Sequence, residues 1–167
     1  MAAFSVELSV LPPSANSIPC IAMAAASGVP HTVVNVHGKT RSPEYMAENP
    51  MHCAPQMKTS EGVLWESSAI IRYFAKSTDK GMKYYSNEPW KAAKIDMVMD
   101  WCTTKFSKDL PSIGYHIFGF GPYTDEQVKE STDGFGASFA FMESHLLKDS
   151  QFRKSPHVSR CRLPGPA

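Results

Sequence analysis

Apolar and polar positions follow two different periods along this 167-residue chain. In the first half the apolar runs are short and sharply bounded. Val6 to Leu11, Thr32 to Val36, Gln56 to Thr59 and Val63 to Trp65 read as strands, each closed off by proline, glycine or a polar cluster. Between them, Ile18 to Ser27 is helical and stops at Gly28, a residue suited to the left-handed turn that ends helices. Pro43 to Glu48 reads as a short helix. A further helix starts at Glu66 or Ser67, with Ala69, Ile70, Tyr73 and Phe74 at helical spacing. The last two strands are separated only by Ser60-Glu61-Gly62, a spacer of hairpin length.

Beyond Ser77 the pattern changes. A polar segment with Gly81 breaks the periodicity, and from there on the apolar spacing is helical throughout. Between Glu88 and Leu110, Trp90, Ala93, Met97 and Trp101 form one stripe, with Ile95, Val98, Cys102 and Phe106 beside it. Pro111 is expected to kink or end that helix. From Asp125 to Leu147 a second long helix carries Val128, Thr132, Phe135, Phe139, Met142 and Leu146 on one face. Gly134 and Gly136 weaken it by about 1 kcal/mol each relative to alanine unless close packing uses them.

The order β-α-β, short helix, β-β-α implies a sheet with a parallel pair and a hairpin edge, the thioredoxin-like order. The expected fold is therefore α/β followed by all-α. Residues 1–77 form the thioredoxin-like domain, 78–87 a linker and 88–150 a helical domain. Residues 151–167 form an atypical non-helical tail, because Leu163-Pro164-Gly165-Pro166 cannot continue a helix.

Composition removes several function classes. A hydrophobic content of 43% is ordinary for a globular protein, and a net charge of +1 argues against an electrostatic nucleic-acid partner. No apolar run approaches the roughly 18 residues of a membrane span, and the N-terminus lacks the pattern of a secretory signal. Cys20, Cys53, Cys102 and Cys161 are widely spaced with no CxxC, which disfavours a zinc site and a dithiol. Four free thiols suit a reducing cytoplasm.

The chemistry concentrates between Asn49 and Ile71. Pro55 sits where a loop enters a strand, a place that tolerates proline, and an X-Pro bond is the one peptide bond that adopts cis at modest cost. With Ala54-Pro55 cis, the Ala54 backbone turns outward and can pair with an extended ligand. A helix starting at Glu66 or Ser67 presents unpaired N–H groups and a positive dipole end, which suits a carboxylate. Taken alone, Glu66-Ser67 is a helix cap. With Pro55 eleven residues earlier, the binding reading is the better one.

These residues resemble a known family. His52-Cys53-Ala54-Pro55 and Leu64-Trp65-Glu66-Ser67 are similar to the delta-type cytosolic glutathione transferases. Thr40-Arg41-Ser42-Pro43-Glu44 with Asn49-Pro50 resembles the phi, theta and delta types, and Ile95-Asp96 with Asp100-Trp101 resembles the theta-type helical domain. The resemblance covers roughly residues 5 to 159 and implies a serine-type enzyme. A serine hydroxyl near the start of the first helix donates to the glutathione sulfur, and the thiolate attacks a small apolar electrophile. It implies glutathione as co-substrate, no metal, a cytoplasmic homodimer and a role in detoxification.

Two serines compete for the catalytic place. Ser17-Ile18-Pro19-Cys20 resembles the Ser-x-Pro-Cys of theta and delta types. Ser14, six residues after Leu8 and fourteen before Gly28, has the family's spacing, and Ser14-Ala15-Asn16 resembles the phi-type Ser-x-Asn. Ser14 is the expected donor and Ser17 the runner-up. By the same resemblance Arg41 and His52 meet the glycine end of glutathione. Cys53, Ala54 and Pro55 meet the cysteinyl unit, and Glu66 and Ser67 the γ-glutamyl end. Thr40 and Ser68 depart from the family's histidine and arginine, which lowers the expected affinity. The family's last helices have no counterpart after Ser159, so the helical domain is expected to be incomplete and the chain to resemble a C-terminally truncated member. That leaves two rival functions: a non-catalytic interaction module, or a glutathione-dependent thiol transferase using Cys53.

Overall fold

Four strands and three helices form the first part of the chain in the expected order. The computed structural model describes residues 6–12, 14–119 and 121–148, so the expected tail 151–167 lies outside the described residues. The strands are β1 (Val6–Val10), β2 (His31–Asn35), β3 (Gln56–Thr59) and β4 (Gly62–Trp65), in the spatial order β2-β1-β3-β4. β1 runs parallel to β2, from Val6 opposite His31 to Val10 opposite Asn35. It runs antiparallel to β3, with Ser9 opposite Gln56, and Thr59 opposite Gly62 closes the β3–β4 hairpin.

Period-two alternation sorts the side chains of the sheet between its two faces. Val6, Leu8, Val10 and Met57 pack with Cys20, Met23 and Ala24 of α1 (Ser17–Ser27) and with Ile70, Phe74 and Ala75 of α3 (Ser67–Lys76). Phe74 is fully buried, which contributes about 2–3 kcal/mol. A smaller cluster joins Val36 and Ala54 to Tyr45 of α2 (Pro43–Glu48), with Leu11 and Val34 against it. Gly28 ends α1 at φ 72°, the left-handed conformation its lack of a Cβ permits.

The polar segment after α3 is packed against it. The Thr78 hydroxyl donates to the Ser27 carbonyl at 2.6 Å, and a 3-10 turn covers Gly81–Tyr84. A Cβ on Gly81 would lie 2.5 Å from the Phe74 carbonyl oxygen, so only glycine fits that approach. Arg72 on α3 donates to Asp96 at 2.6 Å and to Asp100 at 2.9 Å, and the Tyr85 hydroxyl donates to Asp96 at 2.7 Å. The Arg72 guanidinium and then the Tyr85 hydroxyl hold the Asp96 carboxyl below its usual range. A depressed carboxylate pKa stabilises the fold above the unfolded value and loses that contribution as pH falls. The stability difference between wild type and Arg72→Gln is therefore expected to shrink as pH drops through about 3.9 and below, as measured by urea unfolding.

Chain packing divides the protein into residues 1–100 and 101–167. α4 (Pro89–Thr104) runs from the first unit into the second. The sequence pattern predicts one helix to Leu110, but α4 ends at Thr104. A 3-10 turn at Phe106–Lys108 follows, and α5 (Leu110–Ile117) begins with Pro111 in its first turn. Proline is accommodated there because first-turn N–H groups have no helical acceptor, so Pro111 opens a helix instead of ending one.

α6 (Asp125–Phe141) starts with a capping box. Thr124 accepts from the Gln127 N–H, and the Gln127 side chain returns to the Thr124 N–H. Trp101, Phe106, Phe135, Phe139 and Phe141 meet ring to ring in this unit in tilted and edge-on pairs, Phe106 and Phe135 at 4.8 Å between centroids. None of the described residues of α5 or α6 is fully buried. Gly136 faces open space, while a Cβ on Gly134 would lie 2.6 Å from the Asp109 carboxylate. Gly136→Ala should therefore raise unfolding stability by up to about 1 kcal/mol in urea titrations. Gly134→Ala should gain less, because Asp109 has to swing away.

Candidate functional site

The loop leading to Pro55 is held by a small polar core. The Ser42 hydroxyl caps α2 by accepting from the Tyr45 N–H at 3.2 Å, and Pro43 takes the first helical position. Tyr45, turned inward, donates its hydroxyl to the Cys53 carbonyl at 2.8 Å. The Asn49 amide donates to the same oxygen at 2.9 Å. Asn49 is completely buried, and its own side-chain oxygen accepts from the Met51 N–H at 3.2 Å. Two donors thus grip the carbonyl just before Ala54-Pro55, and that bond is cis. The sheet ladder begins only at Gln56, which leaves the Ala54 backbone outside it.

Arg41, His52 and Cys53 are exposed around this loop. The Arg41 side chain forms no ion pair among the described residues. His52 has φ 43° and Glu66 φ 73°, and they alone among the described non-glycine residues have positive φ. Such conformations cost about 1–3 kcal/mol each and collect at functional sites. Both residues belong to the set predicted from sequence.

Glu66 occupies the cap position of α3 without making a side-chain capping bond. Glu66 is thus the N-cap residue, as its bland alternative has it, but supplies no side-chain capping bond. The first-turn N–H groups of α3, from Ser67 and Ser68, receive no side-chain cap and remain available to an anionic group. Ser67 is half-buried and Glu66 exposed.

The start of α1 is arranged differently. The Ser14 carbonyl accepts from the N–H groups of Ser17 and Ile18, both at 3.0 Å, and the Ser14 hydroxyl oxygen accepts from the Asn16 N–H at 3.3 Å. Pro19 has no N–H to offer. The Ser17 and Ile18 N–H groups at this helix end are thus engaged, and the Ser14 hydroxyl donates no hydrogen bond among the described residues. Ser14 is half-exposed. Ser17 is 1% exposed, and its hydroxyl oxygen accepts from the Leu11 N–H at 3.3 Å.

Cys20 joins the two helix starts. Its sulfur lies 3.4 Å from the Asn16 carbonyl oxygen and 3.5 Å from that of Ser67. Those two carbonyls are therefore no farther apart than the sum of the two distances, and the Ser14 segment and the Glu66-Ser67 pair converge. Burial pushes the Cys20 thiol up to about 12, so it stays protonated. No hydrogen bond among the described residues ties the Arg41–Cys53 loop to these helix starts; the sheet holds it in place. Tyr45 and Asn49 are supports that the sequence pattern does not single out, although Asn49 stands in the Asn49-Pro50 pair.

A thioredoxin-like sheet with a cis-proline loop, followed by a helical unit, is the architecture of the glutathione transferases. Residues 13–77 match the family model described as glutathione S-transferase, N-terminal domain. Glutathione S-transferase D7 of Drosophila melanogaster is 26% identical over 136 residues, which cover 80% of this chain and 59% of that protein. Elongation factor 1-gamma 3 of Oryza sativa subsp. japonica is 26% identical over 110 residues, 66% of this chain and 26% of that protein. The chain thus spans less than two thirds of the length of either relative. Among solved structures, the theta class glutathione S-transferase of Xanthomonas axonopodis pv. citri with glutathione bound shares the fold. Its TM-score is 0.76 at 24% identity, over 87% of this chain and 71% of that one. Residues 13–77 are thus similar to the N-terminal domain of glutathione S-transferases, and the fold is shared with them.

No group of His, Cys, Asp and Glu among the described residues could hold a metal ion. Among the same residues no helix is long and apolar enough to cross a membrane.

Proposed function

We propose that this chain binds glutathione and activates its thiol for conjugation to a small electrophilic, apolar substrate. The observation that carries the reading is the Ser14 hydroxyl. It is half-exposed, its oxygen already accepts one bond, and its proton is free to donate to a sulfur at the start of α1. Glutathione's thiol, near 8.5 for a free cysteine, is mostly protonated at neutral pH. Donation from Ser14 to the thiolate favours that form and the proton leaves to solvent; the sulfur's electron pair then bonds to the electrophilic carbon as that carbon's bond to its leaving group breaks, and the leaving group departs to solvent with the bonding pair. In this reading Ser67 and Glu66 hold the γ-glutamyl end, with the open first turn of α3 facing its carboxylate. The Ala54 backbone beside Pro55 pairs with the cysteinyl unit, flanked by Cys53. Arg41 and His52 meet the glycine carboxylate.

Retention on immobilised glutathione, release by free glutathione and turnover of a generic aromatic electrophile test the proposal. Absence of retention in a cooperatively folding sample overturns it. Retention without turnover favours a second reading, a non-catalytic glutathione-transferase-like module, which the likeness to a protein named as an elongation factor supports. A thiol transferase using Cys53 is supported by that residue's exposure. Rapid alkylation of Cys53, blocked by glutathione, is its signature. We place the protein in the cytoplasm as a homodimer, a state that the exposure of Trp90 at 70% and Met97 at 56% supports and sedimentation velocity checks.

A further inference from the structure

We infer that Cys20 is a positioning residue for the glutathione site: its thiol ties the start of α1 to the start of α3 and so sets the spacing between Ser14 and the Glu66-Ser67 pair. The inference rests on the reading that these two helix starts hold adjacent parts of one glutathione molecule, the cysteinyl sulfur and the γ-glutamyl end.

Cys20 is 0% exposed in the first turns of α1, with its sulfur between two carbonyls that are remote in sequence. One of them, Asn16, is bonded through its N–H to the Ser14 hydroxyl; the other belongs to Ser67 itself. The thiol has a single hydrogen, shared between these two acceptors or alternating between them, so its position midway satisfies both. At the far end of α1 the Thr78 hydroxyl already anchors the Ser27 carbonyl. Cys20 supplies the corresponding tie at the end where the ligand would sit.

Spacing matters because a bound tripeptide meets both helix starts at once. A displacement well below a hydrogen-bond length lengthens either the Ser14 contact or the γ-glutamyl contact, and misplaced groups lose binding and rate together. A cysteine suits the place because its long C–S bond and large sulfur reach two carbonyls from inside an apolar core. A serine hydroxyl, with its shorter reach, approaches one at the other's expense. Burial raises the pKa of this thiol and keeps it a donor at physiological pH.

Three variants of the full chain test the inference: Cys20→Val keeps the volume without the donor, Cys20→Ala removes both, and Cys20→Ser keeps a donor of shorter reach. Amide hydrogen exchange at Ser67–Ile70 and Ser17–Ile21 is followed without ligand, and glutathione affinity is measured by calorimetry. Cys20→Val should accelerate exchange at both helix starts and weaken glutathione binding about five- to tenfold, as expected for one lost hydrogen bond. Cys20→Ser should recover part of that loss. Val6→Ala, a core change in β1, controls for general destabilisation and should leave affinity within about twofold. Wild-type exchange in Cys20→Val, wild-type affinity in it, or an equal affinity loss in Val6→Ala overturns the inference. Accelerated exchange in a chain whose wild type ignores glutathione keeps the tie and overturns the glutathione reading instead.

Discussion

Ser14→Ala is expected to lower conjugation turnover by roughly 100- to 1,000-fold, the usual cost of removing one donor from a developing or bound anion. Among the described residues the Ser14 hydroxyl oxygen accepts from the Asn16 N–H at 3.3 Å, so the substitution frees one exposed backbone donor and should scarcely change stability. Without the donor, the pKa of bound glutathione should climb toward the free value of about 8.5, readable as a shift in the pH profile of turnover and in thiolate absorbance. Ser17→Ala should do the reverse. Its hydroxyl is buried and accepts from the Leu11 N–H, so the loss costs about 1–2 kcal/mol and lowers the melting temperature by about 5 °C or more. Turnover in the fraction still folded should stay near wild type. If Ser17→Ala abolished turnover in a folded sample and Ser14→Ala did not, the donor would be Ser17.

Asn49→Ala should be among the most damaging single changes in the first unit, at about 2–3 kcal/mol in urea unfolding. The side chain is completely buried, donates to the Cys53 carbonyl and accepts from the Met51 N–H, so two bonds go at once and a cavity opens. Glutathione retention should fall with it, because the gripped Cys53 carbonyl directly precedes Ala54. Asn49→Asp should not rescue, since a carboxylate in the same place has no hydrogen for the Cys53 oxygen. Tyr45→Phe should be milder, near about 1 kcal/mol, because Asn49 still holds that oxygen. Equal losses in Tyr45→Phe and Asn49→Ala would show that the two donors act as one unit instead of as independent supports.

The elements that could be read along the chain are those whose cause is local. Gly28 stops α1 because a residue with φ 72° has to avoid a Cβ clash, and Pro55 marks the loop because proline alone makes a cis bond cheap. The hairpin follows from its spacer, with Thr59 opposite Gly62. The helical half was less legible. Its apolar stripes predict a single helix through Leu110, yet α4 stops at Thr104, because a stripe records which face is apolar and not where the axis breaks. The same stripes predict core positions, whereas none of the described residues of α5 and α6 is fully buried.

By itself, the sequence determined the order of elements, the place of the proline loop and the acidic-hydroxyl helix start, all consequences of short-range backbone preferences; that Ala54-Pro55 is cis came from the structure. Only the tertiary structure decided which serine is reachable. Ser14 and Ser17 are three residues apart and chemically alike, and their difference lies in burial against the end of β1. Only the tertiary structure revealed that Asn49 and Tyr45 share one carbonyl and that Cys20 spans a separation of 47 residues to meet Ser67. Hydrogen bonds of that kind depend on distances between elements, and those distances are set when the core packs, not by the residues that flank each group along the chain.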